Sequence, residues 1–139
     1  MSDDDLVEDP PPDAESDQDG LTRKFQKELN AGLVSLVLLA LLDRAEEDLY
    51  GYQIAKQLQG DANGPVKQGA LYPVLRALAA NGLLASRIVP SYSGPPRRYY
   101  RITDQGRQVL RRWLDIWGDM RDFVDRFAPP TPRNGAPNP

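Results

Sequence analysis

The stretch from Val66 to Thr103 leaves this chain few ways to fold. Three clusters follow one another in it: Gln68-Gly69-Ala70-Leu71-Tyr72-Pro73, then Asn81-Gly82-Leu83-Leu84, then Gly94-Pro95-Pro96-Arg97-Arg98-Tyr99-Tyr100-Arg101-Ile102-Thr103. Leu71, Val74, Leu75 and Leu78 recur at i, i+3, i+4 and i+7, the spacing of one helix face. Asn81-Gly82 supplies the left-handed residue that ends a helix. Pro73 suits such a helix only in its first turn, where a missing N–H has no partner to lose. Leu84 to Val89 and Arg97 to Ile102 are the strand-like runs, joined by a turn rich in Pro and Ser. A helix, a strand, a basic turn and a second strand in that order predict a winged helix-turn-helix, mainly α with a two-stranded wing.

The flanking segments fit that architecture. Thr22 to about Arg44 reads as a helix, with Phe25 and Leu29 on one face and Leu33, Leu36, Val37, Ala40 and Leu41 at helical spacing. Glu46, Glu47 and Asp48 mark a turn, and Tyr50, Ile54 and Leu58 line a short helix ending at Gly60. Asp61 to Pro65 is loop. Thr103 and Asp104 then read as the cap and first turn of a last helix.

That helix has the strictest periodicity of all. Leu110, Trp113, Trp117, Met120, Val124 and Phe127 are spaced 3, 4, 3, 4 and 3, the seam of a coiled coil. Arg111 with Asp115, Arg121 with Asp125, and Asp122 with Arg126 place opposite charges four residues apart on the other side. A seam of this kind is expected to pair with its copy in a second subunit, making a homodimer. Packing on its own domain is the simpler alternative.

Charge divides the chain. Net charge is −3, but residues 1–20 hold nine acidic residues and no Lys or Arg, which leaves 17 basic against 11 acidic residues, or +6, for 21–139. The first 20 residues, with three consecutive prolines, cannot bury enough surface to offset their ordering entropy and are expected to be disordered. Residues 128–139 carry five prolines and read the same way. The expected organisation is therefore an acidic tail (1–20), a DNA-binding domain (21–103), a dimerisation helix (104–127) and a Pro-rich tail (128–139). An acidic leader either competes with DNA for the basic face or serves only as a solubility tail.

Composition removes whole classes of chemistry. With no cysteine and no histidine, disulfides, thiol nucleophiles, Cys/His zinc sites and imidazole acid–base catalysis are excluded. The carboxylates form no convincing catalytic constellation, so neither an enzyme nor a cofactor is expected. Leu33 to Leu42 is an apolar run of about half the length that spans a bilayer, and no secretory signal pattern opens the chain. A cytoplasmic protein with no membrane partner is the expectation.

In a helix-turn-helix the amino-terminal end of the second helix enters the major groove. Here that end carries Lys67, Gln68, Ala70 and Tyr72. Gln68 can pair with adenine, Lys67 can meet a phosphate or guanine, and Tyr72 can donate to a phosphate or pack on the preceding helix. Arg97 and Arg98 adjoin the turn rigidified by Pro95 and Pro96, and strand alternation sends them to opposite faces. One can face DNA while the other braces the sheet.

From about Leu29 to Phe127 the sequence resembles the PadR family of transcriptional regulators, in its short form. The resemblance rests on Gly51-Tyr52-Gln53-Ile54-Ala55, Gly69-Ala70-Leu71-Tyr72-Pro73 with Leu75 and Leu78, and Asn81-Gly82-Leu83-Leu84. It continues in Gly94, Pro95, Arg97, Arg98, Tyr99, Tyr100, Ile102, Thr103 and Gly106. It implies a winged-helix homodimer that binds double-stranded operator DNA, usually as a repressor, and dimerises through the last helix. Some such regulators hold a small planar aromatic effector between these helices, and Trp117 falls near the aromatic position used. Ala70 stands where the family commonly has Thr, and the long acidic leader is a second departure. The alternative from another class is a winged-helix module that binds protein rather than specific DNA.

Overall fold

The computed structural model describes residues 14–59 and 68–130. Its elements are α1 (Ala14–Arg44), β1 (Leu49–Tyr50), α2 (Gly51–Leu58), α3 (Gln68–Ala80), β2 (Leu84–Val89), β3 (Arg97–Ile102) and α4 (Asp104–Phe127). The strands form one antiparallel sheet in the order β1-β3-β2. This is the winged helix expected, with two differences in the sheet and first helix.

The wing hairpin β2–β3 gains a third strand. Leu49 pairs with Tyr100 and Tyr50 with Tyr99. Two residues are too short to carry an alternation, so this strand is dictated by the β3 edge it meets rather than by its own pattern. The first helix begins at Ala14, inside the segment expected to be disordered. Asp17 and Asp19 stand in its opening turns, where carboxylates suit the positive end of a helix. Residues 1–13 and 131–139 of the two expected tails lie outside the described residues.

The core is one cluster gathered from every helix and strand. Val34, Leu38, Leu39, Leu41 and Leu42 of α1 meet Ile54 and Ala55 of α2, Leu71, Leu75 and Leu78 of α3, and Leu84, Tyr100 and Ile102 of the sheet. By length and composition the segment Asp17–Arg44 could cross a bilayer. Its apolar half is accounted for by these core contacts. No buried polar or charged residue accompanies them among the described residues.

Leu110 of α4 belongs to the same core at 4% exposure, which corrects its place in the expected dimer seam. The seam starts on the chain's own domain because α1 and α4 lie side by side there, and Arg107 reaches Asp43 at 3.2 Å. Beyond it the seam emerges: Trp113 is half-buried, Trp117 is 38% exposed and Phe127 72%. The three expected i,i+4 ion pairs are not formed among the described residues, and Arg121 lies 3.7 Å from Asp122 instead. Exposed pairs on a helix gain too little to hold two long side chains in one geometry.

Pro73 is the sixth residue of α3, past the first turn where it was expected. The carbonyl of Gly69 therefore receives no helical N–H from it. At its other end α3 closes with a Schellman motif, Leu83 N–H donating to Leu78 and Gly82 N–H to Ala79, both at 3.0 Å. Gly82 has φ +79°, a conformation glycine adopts without strain.

The end of α3 is tied to the start of α4. The Thr103 hydroxyl donates to the Gly82 carbonyl at 2.7 Å and accepts from the Gly106 N–H at 3.0 Å. Thr103 N–H donates to Leu83 at 3.1 Å. Gly106 packs against the Leu83 carbonyl with no room for a Cβ. One threonine thus caps α4 and holds the end of α3.

Candidate nucleic-acid interface

Helix α3 has one greasy face and one nearly featureless one. Leu71, Leu75 and Leu78 are buried, while Gly69, Ala70, Tyr72, Pro73, Arg76, Ala77 and Ala80 face solvent. Of the expected base-reading residues, Lys67 lies outside the described residues and Gln68 is placed as the first residue of α3. Ala70 is exposed there, a small side chain without a hydrogen-bonding group. Tyr72 follows at 36% exposure, the hydroxyl-bearing edge of its ring set against Gly51 at the start of α2. Tyr72 is thus half packed and half presented.

The wing register sorts its side chains onto two faces. Ser86 opposite Tyr100 and Ile88 opposite Arg98 share the face turned to α3, because Tyr100 is part of the core at 3% exposure. Arg87 opposite Tyr99 and Val89 opposite Arg97 occupy the other. Arg98 and Arg97 are therefore separated as alternation requires. The Arg98 Nη1 donates to the Ser86 hydroxyl at 3.0 Å on the α3 side. Arg97 lies 4.6 Å from the centroid of the Tyr50 ring on the far side.

That far side is a ladder of rings and cations. Tyr99 packs edge-on to Tyr50 at 5.3 Å, Tyr52 stacks beyond Tyr50 at 6.4 Å, and Arg87 covers Tyr99 at 5.0 Å while bonding Asp48 at 3.0 Å. Such contacts hold side chains in place and brace the wing. Arg97 is engaged in this bracing.

On the α3 side Tyr100 is buried in the core. Burial raises its pKa above the ordinary tyrosine value, and the charges of Arg98 and Arg76 act to lower it. Tyr100 and Arg98 stand two residues apart on β3 and so share this face. Arg76 was not among the sequence candidates. Its signal was available, since it is the lone charged residue of α3 and falls one turn after Tyr72.

A groove of about 370 Å³ lies between α1 and α4, lined by Leu33, Leu36, Trp113, Ile116, Trp117 and Met120 among others. Trp117, the candidate for an aromatic effector, is on its wall. Trp113 is shared between the groove and the core. The groove shares Trp117 and Met120 with the exposed seam that runs on to Val124 and Phe127.

Residues 38–112 match the family model described as the transcriptional regulator PadR-like family. A relative from Lysinibacillus sphaericus, an uncharacterized protein, is 29% identical over 97 residues, covering 68% of this chain and 86% of that one. The crystal structure of a PadR family transcriptional regulator from Eggerthella lenta superimposes with a TM-score of 0.70 at 35% identity, covering 80% of this chain and 95% of that one. Bacillus subtilis PadR in complex with operator DNA shares the fold, with a TM-score of 0.53 at 20% identity over 76% of this chain and 53% of that one. With its wing, its capped last helix and more than half its length matched, the chain belongs to the PadR-like family of transcriptional regulators.

Proposed function

We propose that this protein is a cytoplasmic, homodimeric repressor that binds operator DNA and releases it when a small planar aromatic compound binds. The observation that carries the reading is the shared face of α3 and the wing. Tyr72 is exposed on α3 and Arg98 stands on the wing face turned to that helix, so a helix lying in a major groove brings the wing arginine to the adjoining backbone. Gln68, Lys67 and Tyr72 at the head of α3 are the residues that meet base edges and phosphates, and Ala70 lets the helix approach closely without a polar contact of its own. Arg98, rather than Arg97, is the wing cation assigned to DNA, since Arg97 stacks on Tyr50.

Dimerisation is assigned to Trp117, Met120, Val124 and Phe127, with Trp113 at the edge and Leu110 left to the core. Exposed side chains at coiled-coil spacing along the free half of α4 support this. The likeness to Bacillus subtilis PadR bound to operator DNA supports a DNA partner. An effector is placed in the α1–α4 groove, where Trp117 offers a ring to stack on. Mapping bound DNA across the genome tests the main reading. A discrete set of sites supports it, and uniform or absent occupancy overturns it. Tryptophan fluorescence quenching by a panel of planar cationic and phenolic compounds tests the effector.

A further inference from the structure

We propose that the sheet face turned away from α3, together with the exposed flank of α2, docks the acidic segment Asp9-Pro10-Pro11-Pro12-Asp13 of a second copy of this chain. The inference uses none of the DNA-reading surface and is independent of that reading.

Two rings stand there between two cations. Arg97 lies 4.6 Å from the centroid of Tyr50, Tyr52 stacks on Tyr50 at 6.4 Å, and Lys56 follows Tyr52 by one turn on the same flank of α2. Arg97, Tyr52 and Lys56 are all exposed. Neither cation is in an ion pair among the described residues. Arg87 on this side is held by Asp48 at 3.0 Å, and Arg101 lines a cavity with Glu46 and Glu47, so the uncompensated positive charge sits at Arg97 and Lys56. Guanidinium and ammonium groups donate and never accept, and tyrosine hydroxyls can add to them.

The leader offers the converse. Proline has no N–H, so three in a row present carbonyls alone, and the polyproline II helix they favour leaves those carbonyls without internal partners. Aromatic-lined surfaces bind such helices at low ordering cost, because the segment is already extended. At 3.1 Å per residue Asp9 and Asp13 lie about 12 Å apart. The two rings and their flanking cations are spaced by 4.6 Å, 6.4 Å and one helical turn of about 5.4 Å, so a carboxylate can meet a cation at each end. The other Pro-rich end, 128–139, carries Arg133 and no Asp or Glu. Charge therefore selects the leader.

Helix α1 keeps the segment from its own face. Asp13 directly precedes this helix, whose 31 residues are about 46 Å long, and Tyr50 comes after its far end. Asp9 stands five residues before Ala14, a reach of at most about 18 Å. The face it can meet is that of another copy.

The test uses the full chain. Isotope-labelled and unlabelled protein are refolded together and treated with a carbodiimide, which joins a carboxylate to a lysine amine touching it, and the linked peptides are identified by mass spectrometry. Links from Asp9 or Asp13 to Lys56 that join labelled to unlabelled chains are expected. Links confined to single chains overturn the second-copy occupant, and links to Lys24, Lys27 or Lys67 without Lys56 overturn the docking face. A fluorescent peptide of residues 1–13 gives a second measurement, with circular dichroism confirming the fold of each variant. Tyr52→Ala and Lys56→Glu are each expected to weaken its binding to the chain by about tenfold, and Arg111→Ala on α4 to leave it unchanged. Equal loss in all three variants, or in none, overturns the proposal in favour of unspecific attraction between opposite charges.

Discussion

The hydroxyl-bearing edge of the Tyr72 ring lies so close to Gly51 that a Cβ at position 51 would clash with its Cε1. The two helices of the helix-turn-helix therefore meet through a bare glycine and the edge of an aromatic ring. Gly51→Ala is expected to displace the ring and cost about 1–3 kcal/mol, as overpacking does. Gly69→Ala, at an exposed position with open space around it, should instead stabilise by up to about 1 kcal/mol. Urea unfolding of both variants decides it, and effects of the same sign would show that the ring is not seated there.

Leu110 and Phe127 share a seam but not a role. Leu110→Ala should cost about 2–5 kcal/mol of folding stability, because it opens a cavity in the core. Phe127→Ala removes a side chain that is 72% exposed and should hardly alter the melting of a lone subunit. It should weaken self-association by at least tenfold in sedimentation equilibrium. If Phe127→Ala associates as well as the parent chain, the α4 seam is not the dimer contact.

The two wing arginines should separate in the same way. Arg98→Ala is expected to weaken DNA binding by about tenfold at low salt, the loss of one charge-assisted contact of roughly 1.5 kcal/mol. Arg97→Ala should leave affinity nearly unchanged and lower stability by about 0.5–1 kcal/mol, through the lost stacking on Tyr50. The reverse ranking in a gel-shift titration would assign the DNA-facing role to Arg97.

Alkaline pH should act on the fold through Tyr100. Its hydroxyl holds its proton more tightly in the folded chain than at the value of about 10 expected when unfolded, chiefly because burial disfavours the phenolate. A raised acid pKa contributes stability that is fully present below about pH 10 and is lost as pH rises through the folded value. Near neutrality this contribution is constant, so stability should not vary with pH through this group. Tyr100→Phe should be less sensitive than the parent chain above about pH 10 in thermal melts, and parallel curves would show that Tyr100 does not contribute.

Much of this was written locally. Leu84–Val89 and Arg97–Ile102 announce themselves by turn chemistry at either end, and Gly82 and Thr103 mark their helix ends by backbone and hydroxyl chemistry that needs no tertiary context. What was not legible depends on distant partners. Leu49–Tyr50 becomes a strand only because β3 offers an edge. Leu110 obeys the same periodicity as Phe127, and spacing cannot tell a core neighbour from a second subunit.

The Thr103 hydroxyl, shared between the carbonyl closing α3 and the amide opening α4, welds two helices that a flexible linker would have left independent. In a dimer held by α4, neither reading head can turn without its shaft. The distance between two half-sites, one helical turn or about 34 Å on DNA, then becomes a property of the angle at which two α4 helices cross. In the proposed dimer, an effector that shifted that crossing would act on α3 through this link without touching it.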